Sequence, residues 1–154
     1  MTARRLATIA ALAVAAAQPA VATAGSCTVT AVMPVAFGGY DVFDSAPVVS
    51  TGSISFECVD LAPTDTVRID LDGGSARSFA SRTLIGAGFK LAYNLYLDAA
   101  RSLVWGDGTR GSTSYGPVQP GAGINTVIMY GQIPAGQHVG AGGYADTVTV
   151  TVLY

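Results

Sequence analysis

The chain has 154 residues, and its 8 lysine and arginine against 10 aspartate and glutamate side chains leave a formal net charge of −2. That balance excludes the basic surface with which proteins bind nucleic acid, so we expect no nucleic-acid partner. Charged residues make up only 12% of the chain and glycine contributes 19 residues, a composition typical of short strands and tight turns. So few charges also favour burial in an assembly.

The first 24 residues have the three parts of a secretory signal peptide. Two arginines form the positive start, an apolar run covers residues 6–17, and two overlapping A-x-A sites end at Ala22 and Ala24. The run is too short for a permanent membrane span, although an uncleaved anchor remains an alternative. We expect cleavage after Ala24, no stable membrane span afterwards, and a single domain over residues 25–154 with a net charge of −4.

The mature chain contains two cysteines, Cys27 and Cys58. An exported protein meets an oxidising compartment, where such a pair usually bonds. Alternation places both on the inward faces of predicted strands, which suits a bridge. We predict a disulfide that stabilises the fold by roughly 3 to 4 kcal/mol in the chain-entropy model. Two free thiols and a lipid-anchored Cys27 are the alternatives.

Apolar and polar residues alternate along most of the mature chain, and no stretch has helical periodicity. After Pro34 a short extended piece covers residues 35–40, and glycine-rich or proline-rich loops cover residues 41–47 and 109–123. The pattern indicates an all-β antiparallel sandwich. Its predicted strands are residues 27–33, 48–59, 67–71, 89–97, 103–105, 124–133 and 144–154.

The last strand has the clearest alternation. Val148, Val150, Val152 and Tyr154 share one face, and three threonines share the other. Because no residue follows Tyr154, we expect no later segment to cover the free edge of this strand. An uncovered edge of this kind aggregates unless another chain pairs with it.

The sequence offers little for catalysis. His138 is the only histidine and lies in a glycine-rich segment, where we interpret it as a solvent-facing loop residue. No serine occupies a G-x-S-x-G elbow, and the predicted disulfide uses both thiols. We therefore predict that the protein is not an enzyme and has no cofactor.

Two further patterns have structural explanations. The stretches Asp70-Leu-Asp-Gly-Gly and Trp105-Gly-Asp-Gly-Thr suggest calcium ligands, but the EF-hand spacing is not met and hairpin turns explain both Asp-Gly pairs. We therefore expect no metal. The aromatic residues could form a carbohydrate platform, but we interpret them as core. They are Tyr93, Tyr96, Trp105 and Tyr115.

Several motifs, weak singly, occur in a specific order along nearly the whole mature chain. They are Cys27, Phe37-Gly38-x-Tyr40, Gly52-x-Ile54-x-Phe56-x-Cys58, Leu91-x-Tyr93-Asn94-Leu95-Tyr96-x-Asp98, Trp105-Gly106-Asp107-Gly108, the run from Tyr130 to Gln137, and the closing run from Gly143 to Val152. Together they resemble the spore coat protein U domain family, which includes subunits of archaic chaperone-usher pili.

The resemblance implies an immunoglobulin-like pilin fold that lacks its final strand and leaves a hydrophobic groove open. A periplasmic pilus chaperone would insert a strand there, and the N-terminal extension of another pilus subunit would replace it at the outer-membrane usher. On this interpretation two strands form the walls of the strand-acceptor groove. The groove residues would be Val148, Val150, Val152 and Tyr154 on one wall, with Val29 and Ala31 on the other.

One feature departs from the pattern of polymerising pilins, which carry an apolar donor extension before the first cysteine. Here residues 18–26 contain only Val21 as a large apolar residue, so we hypothesise a terminal subunit that accepts a strand without donating one.

The predicted function is an exported structural subunit of a surface pilus, assembled by donor-strand complementation. The alternative is a self-standing secreted spore-coat or carbohydrate-binding sandwich. The residues leave attachment, biofilm formation and spore-coat roles open.

Overall fold

The computed structural model of the chain describes residues 24–154. Residues 1–23 of the predicted signal peptide lie outside this part, so the peptide and its cleavage site stay predictions. Within residues 24–154, no helix has the length and apolar character needed to cross a membrane. The described chain forms eight strands and one short 3₁₀ turn at Gly74–Ala76. The strands are β1 Ser26–Met33, β2 Val48–Val59, β3 Val67–Leu71, β4 Arg82–Gly86, β5 Phe89–Tyr96, β6 Tyr115–Val118, β7 Ile124–Ile133 and β8 Val150–Leu153.

The strands form two antiparallel sheets. One has five strands in the order β1-β2-β7-β5-β4, and the other has three in the order β6-β3-β8. Their facing surfaces supply the apolar core, to which every interior strand contributes alternate residues. The largest fully buried apolar side chains are Trp105, Phe56, Ile54, Ile69, Leu71, Ile133 and Val67. The predicted all-β antiparallel fold is therefore confirmed.

Three predicted elements differ from the observed ones. Strand β6 lies inside residues 109–123, which the sequence predicts to be a loop. The prediction missed this strand because its Gly116-Pro117 pair is typical of a turn. Proline is tolerated here because β6 is an edge strand that, within the described part of the chain, pairs only with β3. The predicted strand at residues 103–105 is reduced to isolated bridges, and ladder pairing in the last strand begins only at Val150.

The predicted disulfide between Cys27 and Cys58 is confirmed. The two residues lie directly opposite each other on β1 and β2, with 4.1 Å between their Cα atoms. The bond therefore ties the edge strand β1 to β2, its only ladder partner among residues 24–154. It joins neighbouring strands of one sheet and does not bridge the two sheets.

A buried arginine joins the ends of several strands. Arg82 is 0% exposed, and its guanidinium donates to the carbonyls of Asp72 and Trp105 and to Asn94 Oδ1 at 2.7 to 3.0 Å. Burial lowers the pKa of Arg82, while neighbouring Tyr93 acts in the opposite direction. Because an arginine side chain stays protonated in proteins, its donors satisfy carbonyls that the core would otherwise leave unpaired.

We predict that Arg82→Met destabilises the fold by about 3 kcal/mol, because the oxygen acceptors of the guanidinium would lose their hydrogen-bond donors. Arg110→Met is the control, since Arg110 is exposed and its loss should change stability by at most about 0.5 kcal/mol. Urea unfolding of both variants measures the difference. Equal midpoints for the two would contradict the assigned role of Arg82.

Candidate functional site

The sandwich is open along one side. Strand β1 is the edge of the five-stranded sheet and β8 is the edge of the three-stranded sheet, and the two approach each other. Within residues 24–154, β1 pairs only with β2 and β8 pairs only with β3, and no ladder joins β1 to β8. Each strand therefore has one side whose backbone groups face no protein strand.

A cleft of about 1020 Å³ lies between the segment that follows β1 and the segment that precedes β8. We call residues 35–42, which follow β1, wall one, and residues 139–146, which precede β8, wall two. Between them lie Leu84, Leu91 and Ile133, which we call the floor. Floor and walls pack against the main core, so the cleft opens directly onto the protein interior.

Wall one crosses the inner face of the five-stranded sheet. Ser50 Oγ donates to the Ala36 carbonyl at 2.7 Å, and Phe37 packs edge-on against Tyr93 with ring centres 5.8 Å apart. Gly131 on β7 makes this approach possible, because a Cβ there would lie 2.5 Å from Val35 and 2.8 Å from Phe37. A larger residue at position 131 would push wall one away from the sheet.

Wall two runs from one sheet to the other. Ile85 and Ala145 exchange two backbone hydrogen bonds of 2.8 and 3.1 Å, which anchor the wall to the edge strand β4. Beyond the wall, Thr149 N donates to Asp72 Oδ1 at 3.0 Å and Asp72 N donates to the Thr149 carbonyl at 3.1 Å. These bonds guide the chain into β8 alongside β3.

The Asp146 carboxylate is the central contact of wall two. Its Oδ1 accepts from the backbone N–H and hydroxyl of Ser75 at 2.9 and 2.5 Å, and its Oδ2 accepts from the Tyr93 hydroxyl at 2.7 Å. Burial and then this bond raise the pKa of Tyr93. Because donors occupy both of its oxygens, Asp146 positions the wall on the sandwich.

The structure brings four of the six predicted groove residues together on the core. Val29 on β1 and Val150 and Val152 on β8 are half-buried and pack against the core, as does Val148 just before β8. Tyr154 is 58% exposed. None of the six predicted groove residues lines the cleft, which is lined by the two walls and the floor.

Ala31 does not lie where alternation places it. The β1–β2 register shifts between Val29 and Ala31, so that Ala31 lies opposite Ser55 on the outward face. Val32 takes the inward position opposite Ile54 and is 51% exposed. A β-bulge adds one residue to a strand and reverses its alternation beyond that point, which the pattern of side chains does not reveal.

Sequence reasoning missed the two walls and the floor. The motifs that place them were visible, namely Phe37-Gly38-x-Tyr40 in wall one and the run from Tyr130 to Gln137 before wall two. No periodicity assigned a role to either, because neither wall forms a regular ladder strand. Their positions depend on contacts between residues about a hundred positions apart.

The other candidate residues have structural explanations. Trp105 is 0% exposed and its Nε1–H donates to the Ile69 carbonyl at 2.9 Å, so it belongs to the core as predicted. His138 is exposed. Among residues 24–154, no group of three or more His, Cys, Asp or Glu side chains could hold a metal ion.

We predict that acid weakens the contact of Asp72 with Thr149, which lies between wall two and β8. Partial burial would raise the pKa of this carboxyl, but N–H donors from Gly74 and Thr149 outweigh burial and hold it below the usual 3.8. The resulting stabilisation is present above about pH 4 and is lost as the pH falls through the lower folded-state pKa.

Asp72→Asn keeps the acceptor oxygen and removes the titration, so its urea midpoint should fall less than that of the wild type between about pH 5 and pH 3. Asp60→Asn, at an exposed position, is the control and should behave as the wild type. Parallel pH curves for the wild type and Asp72→Asn would contradict this role.

Comparisons with known proteins agree with this architecture. The family model of the Spore Coat Protein U domain matches residues 10–151. Protein U of Myxococcus xanthus is 32% identical over 130 residues, which cover 77% of this chain and 70% of Protein U.

A similar fold occurs in the crystal structure of the CsuC-CsuE chaperone-tip adhesion subunit pre-assembly complex from archaic chaperone-usher Csu pili of Acinetobacter baumannii. The matched chain has a TM-score of 0.56 and 22% identity, with 84% of this chain and 40% of that chain covered. The present chain thus spans less than half the length of that solved chain. With its sequence matched from residue 10 to residue 151, the chain belongs to the Spore Coat Protein U domain family.

Proposed function

We propose that this chain is an exported structural subunit of a chaperone-usher surface pilus, and that an extended strand from another protein fills its cleft. The observation that carries the proposal is the open side between β1 and β8, two strands that approach each other with no ladder between them. An added strand would pair its backbone with these edges and place alternate side chains in the cleft.

The chemistry of the cleft favours an apolar strand. Its floor is aliphatic, and its only charged lining residues are Asp41 and Asp146. Asp41 Oδ1 accepts from Phe43 N at 2.9 Å, and both oxygens of Asp146 have donors. Neither carboxylate therefore requires a cation, and large apolar residues at every second position of the strand match the floor.

Family membership supports the choice of partners. The comparison complex contains a chaperone and a tip adhesion subunit, by its title. For the present chain we propose a periplasmic chaperone as the first occupant of the cleft and a strand of another pilus subunit as the second, exchanged at the outer-membrane usher. The assembled protein would lie in a fimbrium at the cell surface.

A second candidate function is a secreted coat protein whose cleft is filled by its own chain or by a second copy. The family name, Spore Coat Protein U domain, favours this alternative. Uptake of an added apolar strand separates the two, because an open cleft should bind the strand, whereas a cleft already filled by its own chain or by a second copy should not. A folded protein that binds no added apolar strand would support the coat protein.

We further propose that the subunit accepts a strand without donating one. The support is compositional, since residues 18–26 contain a single large apolar residue, Val21. N-terminal sequencing of the protein isolated from fibres tests this point. A mature chain that carries an alternating apolar extension in a neighbour's cleft would contradict it.

We predict that Val32→Asp blocks uptake of a strand by the folded protein. Val32 faces inward and is half-exposed at the open side, so a carboxylate there would lose solvent when a strand docks. Loss of an unpaired charge from water should weaken binding by at least tenfold.

The measurement is fluorescence anisotropy with a labelled synthetic peptide of about a dozen residues that carries isoleucine at alternate positions. Ala31→Asp is the matched control, because the neighbouring Ala31 faces outward opposite Ser55. We expect the control to bind as the wild type does. Equal loss in both variants, or binding by neither wild type nor control, would contradict the proposed site.

A further inference from the structure

A second set of contacts fixes how far apart the two walls of the cleft stand. The Tyr40 hydroxyl, at the end of wall one, donates to the Pro134 carbonyl at 3.1 Å and accepts from Gln137 N at 2.8 Å. Gln137 lies two residues before wall two begins at Val139. One hydroxyl therefore links wall one to the stretch that leads into wall two.

The side chain of Gln137 continues this link to the floor. Its Oε1 accepts from Ala92 N at 2.7 Å, and its Nε2 donates to the Ala92 carbonyl at 2.9 Å and to the Pro134 carbonyl at 3.1 Å. Ala92 follows the floor residue Leu91 on β5. Through Gln137, wall one is thus held at a defined position relative to the floor.

The sheet register explains why a glutamine is needed. The β5–β7 ladder pairs Asn94 with Gln132, so two residues further on Ala92 would lie opposite Pro134. Proline has no N–H and cannot complete the ladder there. The carboxamide of Gln137 supplies both the donor and the acceptor that a strand residue would have offered.

We propose that Tyr40 and Gln137 are positioning residues for strand docking, which set the width of the cleft before an occupant arrives. This inference rests on the proposed function. The pair holds wall one through a hydroxyl, an amide and a carbonyl that are remote in sequence. A cleft formed in advance admits a strand without first reordering its walls, so the pair acts mainly on the rate of association.

The experiment compares Tyr40→Phe with the wild type, using the mature full-length chain and the alternating isoleucine peptide. The change removes one hydroxyl and keeps the ring that packs on the core. The change removes both hydrogen bonds of the hydroxyl, and the loss of one ordinary hydrogen bond corresponds to about fivefold, so we expect the association rate constant to fall by at least that factor. Amide hydrogen exchange of the unbound protein should accelerate in wall one and in residues 134–143, but not along the β2–β7 ladder.

Two further variants separate positioning from stability. Gln137→Glu keeps the acceptor for Ala92 N but sets a carboxylate against two carbonyls, so it should slow association at least as much as Tyr40→Phe. Tyr130→Phe is the control, because Tyr130 on β7 lies opposite Thr51, and position 130 does not line the cleft. We expect it to associate as the wild type does.

The outcomes are distinguishable. A wild type that binds the peptide and a Tyr40→Phe variant that associates at the same rate would overturn the inference and leave the proposed function standing. A lower urea midpoint in Tyr40→Phe with an unchanged association rate of the folded protein would assign the pair to stability and likewise overturn it. A wild type that fails to bind any alternating apolar peptide would overturn the proposed function and this inference together.

Discussion

The edges of β1 and β8 impose the constraint on which this structure depends. A strand edge has a row of N–H and C=O groups that only water or another strand can satisfy, and an apolar edge left in water promotes aggregation. Here two such edges approach each other with half-buried valines between them and no ladder. The fold therefore has an open side at which both edges are available to an added strand.

The opening is bordered by walls that the rest of the molecule holds in place. Wall two is bound to β4 through Ala145, to the Gly74–Ala76 turn and β5 through Asp146, and beyond the wall the chain is bound to β3 through Thr149. Wall one is held by Ser50 on one side and by Tyr40 on the other. A few polar contacts at the ends of strands thus hold the two walls in position, as the hydrogen bonds of a ladder would.

These contacts differ from the apolar core in what they determine. Burial of Trp105, Phe56 and their neighbours supplies most of the stabilisation but does not specify direction. The hydrogen bonds of Arg82, Asp146 and Gln137 join backbone carbonyls and amides from different elements at fixed distances. Because an unpaired buried polar group is costly, each bond selects one arrangement of the chain around the cleft.

The sequence by itself determined the features that depend on neighbouring residues. Alternation located β1, β2, β3 and β7 to within a residue, and it placed Cys27 and Cys58 on the inward faces of β1 and β2, where they bond. It also identified the inward face of the last strand, whose valines pack on the core.

Only the tertiary structure decided the shape of the site. The bulge in β1 turns Val32 inward in place of Ala31, and the composition of the strand does not reveal it. Wall one forms no ladder strand, so periodicity could not predict its position. Gln137 and Tyr40 are 97 positions apart, and the need for their contact arises from Pro134, which cannot pair with Ala92. Periodicity describes how a segment presents its faces, whereas the cleft depends on which distant backbone groups lack a partner in the folded chain.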